Sequence, residues 1–169
     1  MNVSYIINQL ELNQEVFRGL FKTDSSAEYL WRSDLDKWCL LEIICHLVDE
    51  EVLDFRARVR TALDEVNSPF VPIDPEGWVK SKNYIDQDYS AKVEEWMAER
   101  KNSVDWLKSL ENMDLNSSFE HTELGTLTAG HFLANWLAHD QLHIRQINRL
   151  KRAYLEFTSG ENLSYAGKW

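Results

Sequence analysis

The chain has 169 residues, 44% of them hydrophobic, with seven Trp, six Tyr and seven Phe, which suits one domain spanning residues 1–169 around a sizeable core. A formal net charge of −10 disfavours nucleic acid and anionic membranes as partners, because a negative surface repels both. Only six Gly and three Pro occur, favouring long helices over many short strands. No apolar run reaches the roughly 18 residues of a membrane span, and the start MNVSYIINQLELNQEVF lacks the basic-then-apolar order of a secretory signal. A cytoplasmic protein is expected. Cys39 and Cys45, six helical positions apart, lie about 9 Å apart along the axis, too far for a disulfide, and read as small core residues.

Val3–Lys22 reads as a first helix, with Ile6, Leu10, Phe17, Leu20 and Phe21 recurring at three- and four-residue steps. Ala27–Asp36 is a connection in which Ser33, Asp34 and Asp36 are candidate N-caps. The second helix is predicted over Lys37–Val66. Trp38, Leu41, Ile44, Cys45, Val48, Val52, Phe55, Val59 and Leu63 form its inward stripe, leaving Glu51, Arg58 and Asp64 exposed. His46 borders this stripe, and Glu50 follows one turn later.

Asn67–Asp88 is punctuated by Pro69, Pro72, Pro75 and Gly77. A connection this long is either a functional rim or a packed crossover. The third helix is predicted over Ser90–Leu110, with Val93, Trp96, Met97, Val104 and Leu107 inward and Lys92, Glu95, Glu99, Arg100 and Lys101 outside. Glu111–Gly125 is a polar connection, briefly extended at Phe119–Leu124. Thr126 or Thr128 then caps a fourth helix reaching Arg152. The aromatic tail Ala153–Trp169 is expected to pack back onto the body or onto a partner subunit. Four long amphipathic segments in one domain predict an all-α four-helix bundle with a long proline-containing connection between helices 2 and 3.

The fourth helix carries His139 and His143 four residues apart, so both rings lie within about 40° of one direction and one turn apart. Phe132, Trp136, Ile147 and Leu150 share that face, so the pair points inward. Bundle interiors build metal sites from facing helices, and a catalytic divalent site takes three protein ligands. His46, on another long helix near its inward face, is the natural third. Imidazoles serve zinc, nickel, iron and copper alike.

Asp140 points about 100° away from His139, to orient a ring or tie to another helix. Asn135 and Gln146 lie on the metal side, as candidates to hold a ligand or substrate. Glu50 is a fourth ligand, a base at the metal, or a solvent-facing helix residue. His131 and His121 are set aside as structural or solvated. There is no Ser–His–Asp pattern, phosphate-cradling glycine loop or zinc-ligand cysteine pair.

WCLLEIICHLVDEE (Trp38–Glu51) and LGTLTAGHFLANWLAHDQLHIRQINRLK (Leu124–Lys151) together resemble the DinB/YfiT-like family of metalloenzymes. Its pattern is a Trp some eight residues before a helix-two His, then H-D-x-x-H-x-x-Q near the end, here Trp38, His46, His139, Asp140, His143 and Gln146. The resemblance implies a DinB-like four-helix bundle, a divalent metal on His46, His139 and His143, with zinc or nickel foremost, and a homodimer. It implies a metal-dependent enzyme that transfers a low-molecular-weight thiol, such as a cellular thiol, to an electrophilic small molecule. The alternatives are a metal-dependent hydrolase and a non-catalytic dimeric metal-binding stress-response protein.

Overall fold

Asn2 starts the first helix, α1 (Val3–Leu20), by accepting the Tyr5 N–H at 3.0 Å, which satisfies one of the donors a helix start leaves open. The structure, a computed structural model, describes residues 1–63, 72–121 and 124–168. Asp64–Val66 of the predicted second helix, Pro69 in the connection and Trp169 in the tail lie outside them. α1 buries Ile6, Ile7, Leu10, Asn13 and Phe17. A short α2 (Ser26–Tyr29) interrupts the predicted connection.

The second long helix departs from its predicted course in two ways. α3 (Leu40–Asp49) starts three residues late, at an N-cap formed by Cys39 rather than Ser33, Asp34 or Asp36. Glu42 accepts the Cys39 N–H at 3.0 Å, as the N3 residue of a capping box does, and Arg32 holds Glu42 from outside. The helix then widens into a π-turn over Glu50–Phe55 before α4 (Arg56–Leu63) resumes. A π-turn bonds i to i+5 and so rotates each residue less than an α-turn does. This moves Glu51, predicted to be exposed, to 2% exposure, while Val52 of the predicted stripe is only half-buried. Arg58, also predicted to be exposed, is buried against Asp54 at 3.0 Å.

The described part of the connection, from residue 72 on, is anchored to the body and also lines a cavity with Pro75 and Glu76. Asp74 caps α5 (Pro75–Ser81) through the Gly77 N–H. Lys82 Nζ and the Tyr84 hydroxyl both donate to Asp49, at 2.7 and 2.5 Å, tying the crossover to the end of α3. α6 (Tyr89–Ser109) is capped by Asp88. β1 (Ser118–His121) and β2 (Gly125–Thr128) form an antiparallel hairpin with Phe119 opposite Leu127. Thr128 caps α7 (Ala129–Ser159) by accepting the His131 N–H at 3.0 Å. α7 outruns its predicted end by two turns and stops at Gly160, whose φ of 69° is the left-handed conformation that glycine adopts without strain. Tyr154 and Phe157 touch Trp31. Apart from these contacts the tail does not pack onto the body of its own chain, since Leu155, Phe157 and Tyr165 remain exposed.

α1, the α3–π–α4 helix, α6 and α7 are the four members of the bundle, with α1 against α6 and α7, α3 against α6 and α4 against α7. Two apolar clusters fill it, one around Phe17, Leu41 and Trp96 and the other around Leu10, Val59 and Trp136. A polar knot sits in the core beside them. Arg100, predicted to be exposed, is 1% exposed and donates to both oxygens of Glu51 at 2.9 and 3.0 Å, to both oxygens of Asp140 at 2.6 and 2.8 Å, and to the Leu10 carbonyl. Asn13 donates to Asp140 and the Trp136 indole to Glu51, each at 2.9 Å. Among the described residues no helix is long and apolar enough to cross a membrane.

Removing one partner of a buried ion pair strands the others and costs about 3–5 kcal/mol. Arg100→Met is therefore expected to lower Tm by roughly 10 °C, at about 2–4 °C per kcal/mol for a chain of this size. Lys101→Met, at the exposed neighbouring position, is expected to change stability by at most about 0.5 kcal/mol. Equal and small losses in thermal unfolding of the two variants would show that the knot contributes nothing.

Candidate metal centre

Three imidazoles converge where α3 faces α7. His139 and His143 are one turn apart on α7, with their Nε2 atoms at 3.0 Å. His46 comes from α3, its Nε2 3.4 Å from that of His139. One ring nitrogen from each lies within 4.8 Å of the others. His46 and His143 are buried and His139 is half-buried. Trp38 lies against His46 at a centroid distance of 4.9 Å, and Phe55, at the end of the π-turn, lies 5.0 Å from His139.

Burial keeps all three rings neutral. It pushes His46 down to about 3, with His143 adding to the effect, and His139 down to about 2, helped by both other imidazoles and by Arg100. His143 falls to about 4, against the opposing influence of Gln146 and Asp140. Neutral rings that face one another through Nε2 cannot all be satisfied by hydrogen bonds among themselves. Nitrogen–metal bonds of about 2.0–2.1 Å at tetrahedral or octahedral angles place ligand nitrogens roughly 2.9–3.4 Å apart, which the His139–His143 and His139–His46 spacings match. The residues thus fit a divalent cation, which gives three lone pairs one partner.

The other predicted residues divide. Gln146 stands beside His143 and lines the cavity over the triad. Asp140 orients no ring; it belongs to the Arg100 knot. Asn135 is exposed and bonds the His131 carbonyl at 2.8 Å, away from the triad, because its side chain turns back along its own helix. Glu50 is neither a ligand in the cluster nor solvent-facing. It is 5% exposed and bonded to Asp54, and burial with the neighbouring Asp54 and Asp49 pushes its carboxyl up to about 8. Asp54 is likewise raised by burial, although Arg58 and Glu50 oppose the shift.

The cavity over the triad measures about 600 Å³ and opens to solvent, with Trp38, Leu142 and Leu150 as apolar wall. Arg145 and Arg149 also line it. Neither was expected there from the sequence, although each lies on the helix of His139 and His143, four residues from the other.

Residues 9–147 match the DinB superfamily model. The chain belongs to the DinB superfamily. Among solved structures, this DinB chain is similar to YfiT from Bacillus subtilis, described as a probable metal-dependent hydrolase with an unusual four-helix bundle topology. The TM-score is 0.77 at 18% identity, over 89% of this chain and 86% of that one; at that identity the likeness shows the fold. It is also 25% identical over 114 residues to a protein of Oceanobacillus iheyensis whose name carries a proposed metal-dependent hydrolase activity. That alignment spans 67% of the DinB chain and 64%, just under two thirds, of the relative's length.

The shifted groups set the pH dependence of the metal-free protein. The three imidazoles are neutral when folded and protonate near 6.5 when unfolded. Acid below 6.5 therefore favours the unfolded chain by up to three protons, and this stability is lost as pH falls. The Glu50–Asp54 pair acts oppositely: Glu50 keeps its proton to about 8 when folded but loses it near 4.5 when unfolded, so its stability is lost as pH rises between those values. Between 4.5 and 6.5 the histidines outweigh the single shared carboxyl proton; above 6.5 only the carboxyl contribution changes. Calorimetric Tm of the metal-free protein is expected to peak near pH 6.5. A maximum below pH 5 or above pH 8 contradicts the assignment of these protonation states.

Proposed function

We propose that the chain is a divalent-metal-dependent enzyme that delivers the sulfur of a small thiol to an electrophilic small molecule. The observation that supports it is the triad at the floor of an open cavity: three neutral imidazoles that would hold the ion, below a space of small-molecule size. A divalent ion held there supplies Lewis acidity, lowering the pKa of a thiol or water in contact with it. Trp38 and Leu142 give the cavity apolar surface. Gln146, beside His143, offers an amide to orient the bound molecule. Glu50 keeps its proton at neutral pH and stays on Asp54.

The cavity's chemistry favours a thiol over water as nucleophile. Glu76 is the sole carboxylate among the described residues that line it, so the described lining offers little general-base help to a bound water. A thiol needs little help, since its free pKa is about 8.5. Its proton passes to solvent, the sulfur forms a bond to the electrophilic carbon, and the leaving group departs with its bonding pair.

Hydrolysis is the second reading, and the names of the two relatives favour it. A panel of cellular thiols with an activated alkyl or aryl halide, run beside a panel of esters and amides, separates the two. The expected result is thiol conjugation at least about tenfold faster with metal than without, abolished in His143→Ala. Ester or amide cleavage without conjugation transfers the assignment to hydrolysis.

A further inference from the structure

We propose that Arg145 and Arg149 form a subsite for an oxyanion, a carboxylate or a phosphate, carried by the substrate at the end away from the reacting group. This rests on reading the cavity over the triad as the substrate site. The two residues are four apart on α7, about 40° apart around the axis and 6 Å apart along it, and both line the cavity. Arg145 lies about 3 Å and Arg149 about 9 Å beyond His143 along the helix. One small molecule can therefore reach both the imidazoles and the guanidiniums.

Among the described arginines the pairing pattern singles these two out. In a chain with 28 acidic and 18 basic residues, carboxylates are plentiful, and the other described arginines have found partners. Arg18, Arg32, Arg56, Arg58, Arg100 and Arg152 each pair with a carboxylate, and Arg60 lies over the Trp106 ring at 4.8 Å. On α7 itself the next cations along, Lys151 and Arg152, are paired with Glu28 and Glu156. Among the described residues Arg145 and Arg149 have no ion pair, although both are exposed to the cavity.

Lys37 adds a third cation to the lining, shared with Asp36 at 3.2 Å, and Glu76 supplies one opposing charge from α5. The cavity is thus locally cationic on a protein of net charge −10. Guanidinium forks match carboxylate and phosphate oxygens in pairs, and a locally positive cleft concentrates anions against the repulsion of the surrounding surface.

Calorimetric titration tests the subsite with succinate, inorganic phosphate and neutral succinamide as probes. It is run on metal-free and metal-loaded protein and on the Arg145→Gln/Arg149→Gln double variant, with metal content and circular dichroism checked in parallel. Because both side chains are exposed, the double variant is expected to fold and to keep its metal-binding behaviour.

Succinate or phosphate should bind the metal-free protein at least tenfold more tightly than succinamide. The double variant should lose that preference, and salt should weaken it. Which of the two anions binds better assigns carboxylate or phosphate. Equal binding of succinate and succinamide, or undiminished anion binding by the double variant, overturns the subsite. The metal-free arm keeps this result separate from the enzymatic proposal, which fails instead if the wild-type protein takes up no metal.

Discussion

One guanidinium fixes how the four long helices meet. Arg100 reaches from α6 to a carbonyl of α1, to Glu51 in the π-turn and to Asp140 on α7. Burial opposes its charge, but the two carboxylates hold its pKa well above the usual arginine value. Two carboxylates around one cation leave a negative excess, and the Asn13 amide and Trp136 indole offset it by donating to Asp140 and Glu51. A knot in which every polar group has a partner tolerates little sliding, since any shift strands a charge in a low dielectric.

The candidate site inherits its geometry from that knot. Asp140 follows His139 directly, so anchoring the one sets the rotation of α7 that aims the other. Glu51 lies five residues after His46, across the start of the π-turn, and its pull on Arg100 accompanies the widened helix. The π-turn in turn ends at Phe55, packed against both His139 and Trp136. The same element thus satisfies a buried cation and walls the imidazoles. Inside that wall the Nε2 atoms of three neutral rings converge, with His139 3.0 Å from His143 and 3.4 Å from His46, where one cation would give their lone pairs a common partner.

The site was more legible in the sequence than the knot that supports it. His139 and His143 declare themselves through i, i+4 spacing on an apolar face, and His46 through its place near the inward face of another helix. Arg100, Glu51 and Arg58 could not be read in the same way, because periodicity assigns charges outward and cannot see a buried partner brought from distant sequence. The π-turn has no periodic signature either; it changes the phase of the stripe only once tertiary contacts demand it. The solvent-facing reading of Glu50 fails for the same reason, since Glu50 is buried beside Asp54. The β2 strand was hidden because Gly125–Thr128 is short and runs directly into the α7 cap. The cationic flank at Arg145 and Arg149 becomes a cavity lining only when Trp38 and α5 close the other side.

X-ray absorption on protein loaded with one equivalent of zinc or nickel tests the metal centre most directly. One ion per chain with three imidazole nitrogens at about 2.0–2.1 Å is expected, with loss of stoichiometric metal in His46→Ala as well as in His143→Ala. A wild-type protein that retains no ion, or a His46→Ala variant whose ion keeps the same nitrogen shell, contradicts it.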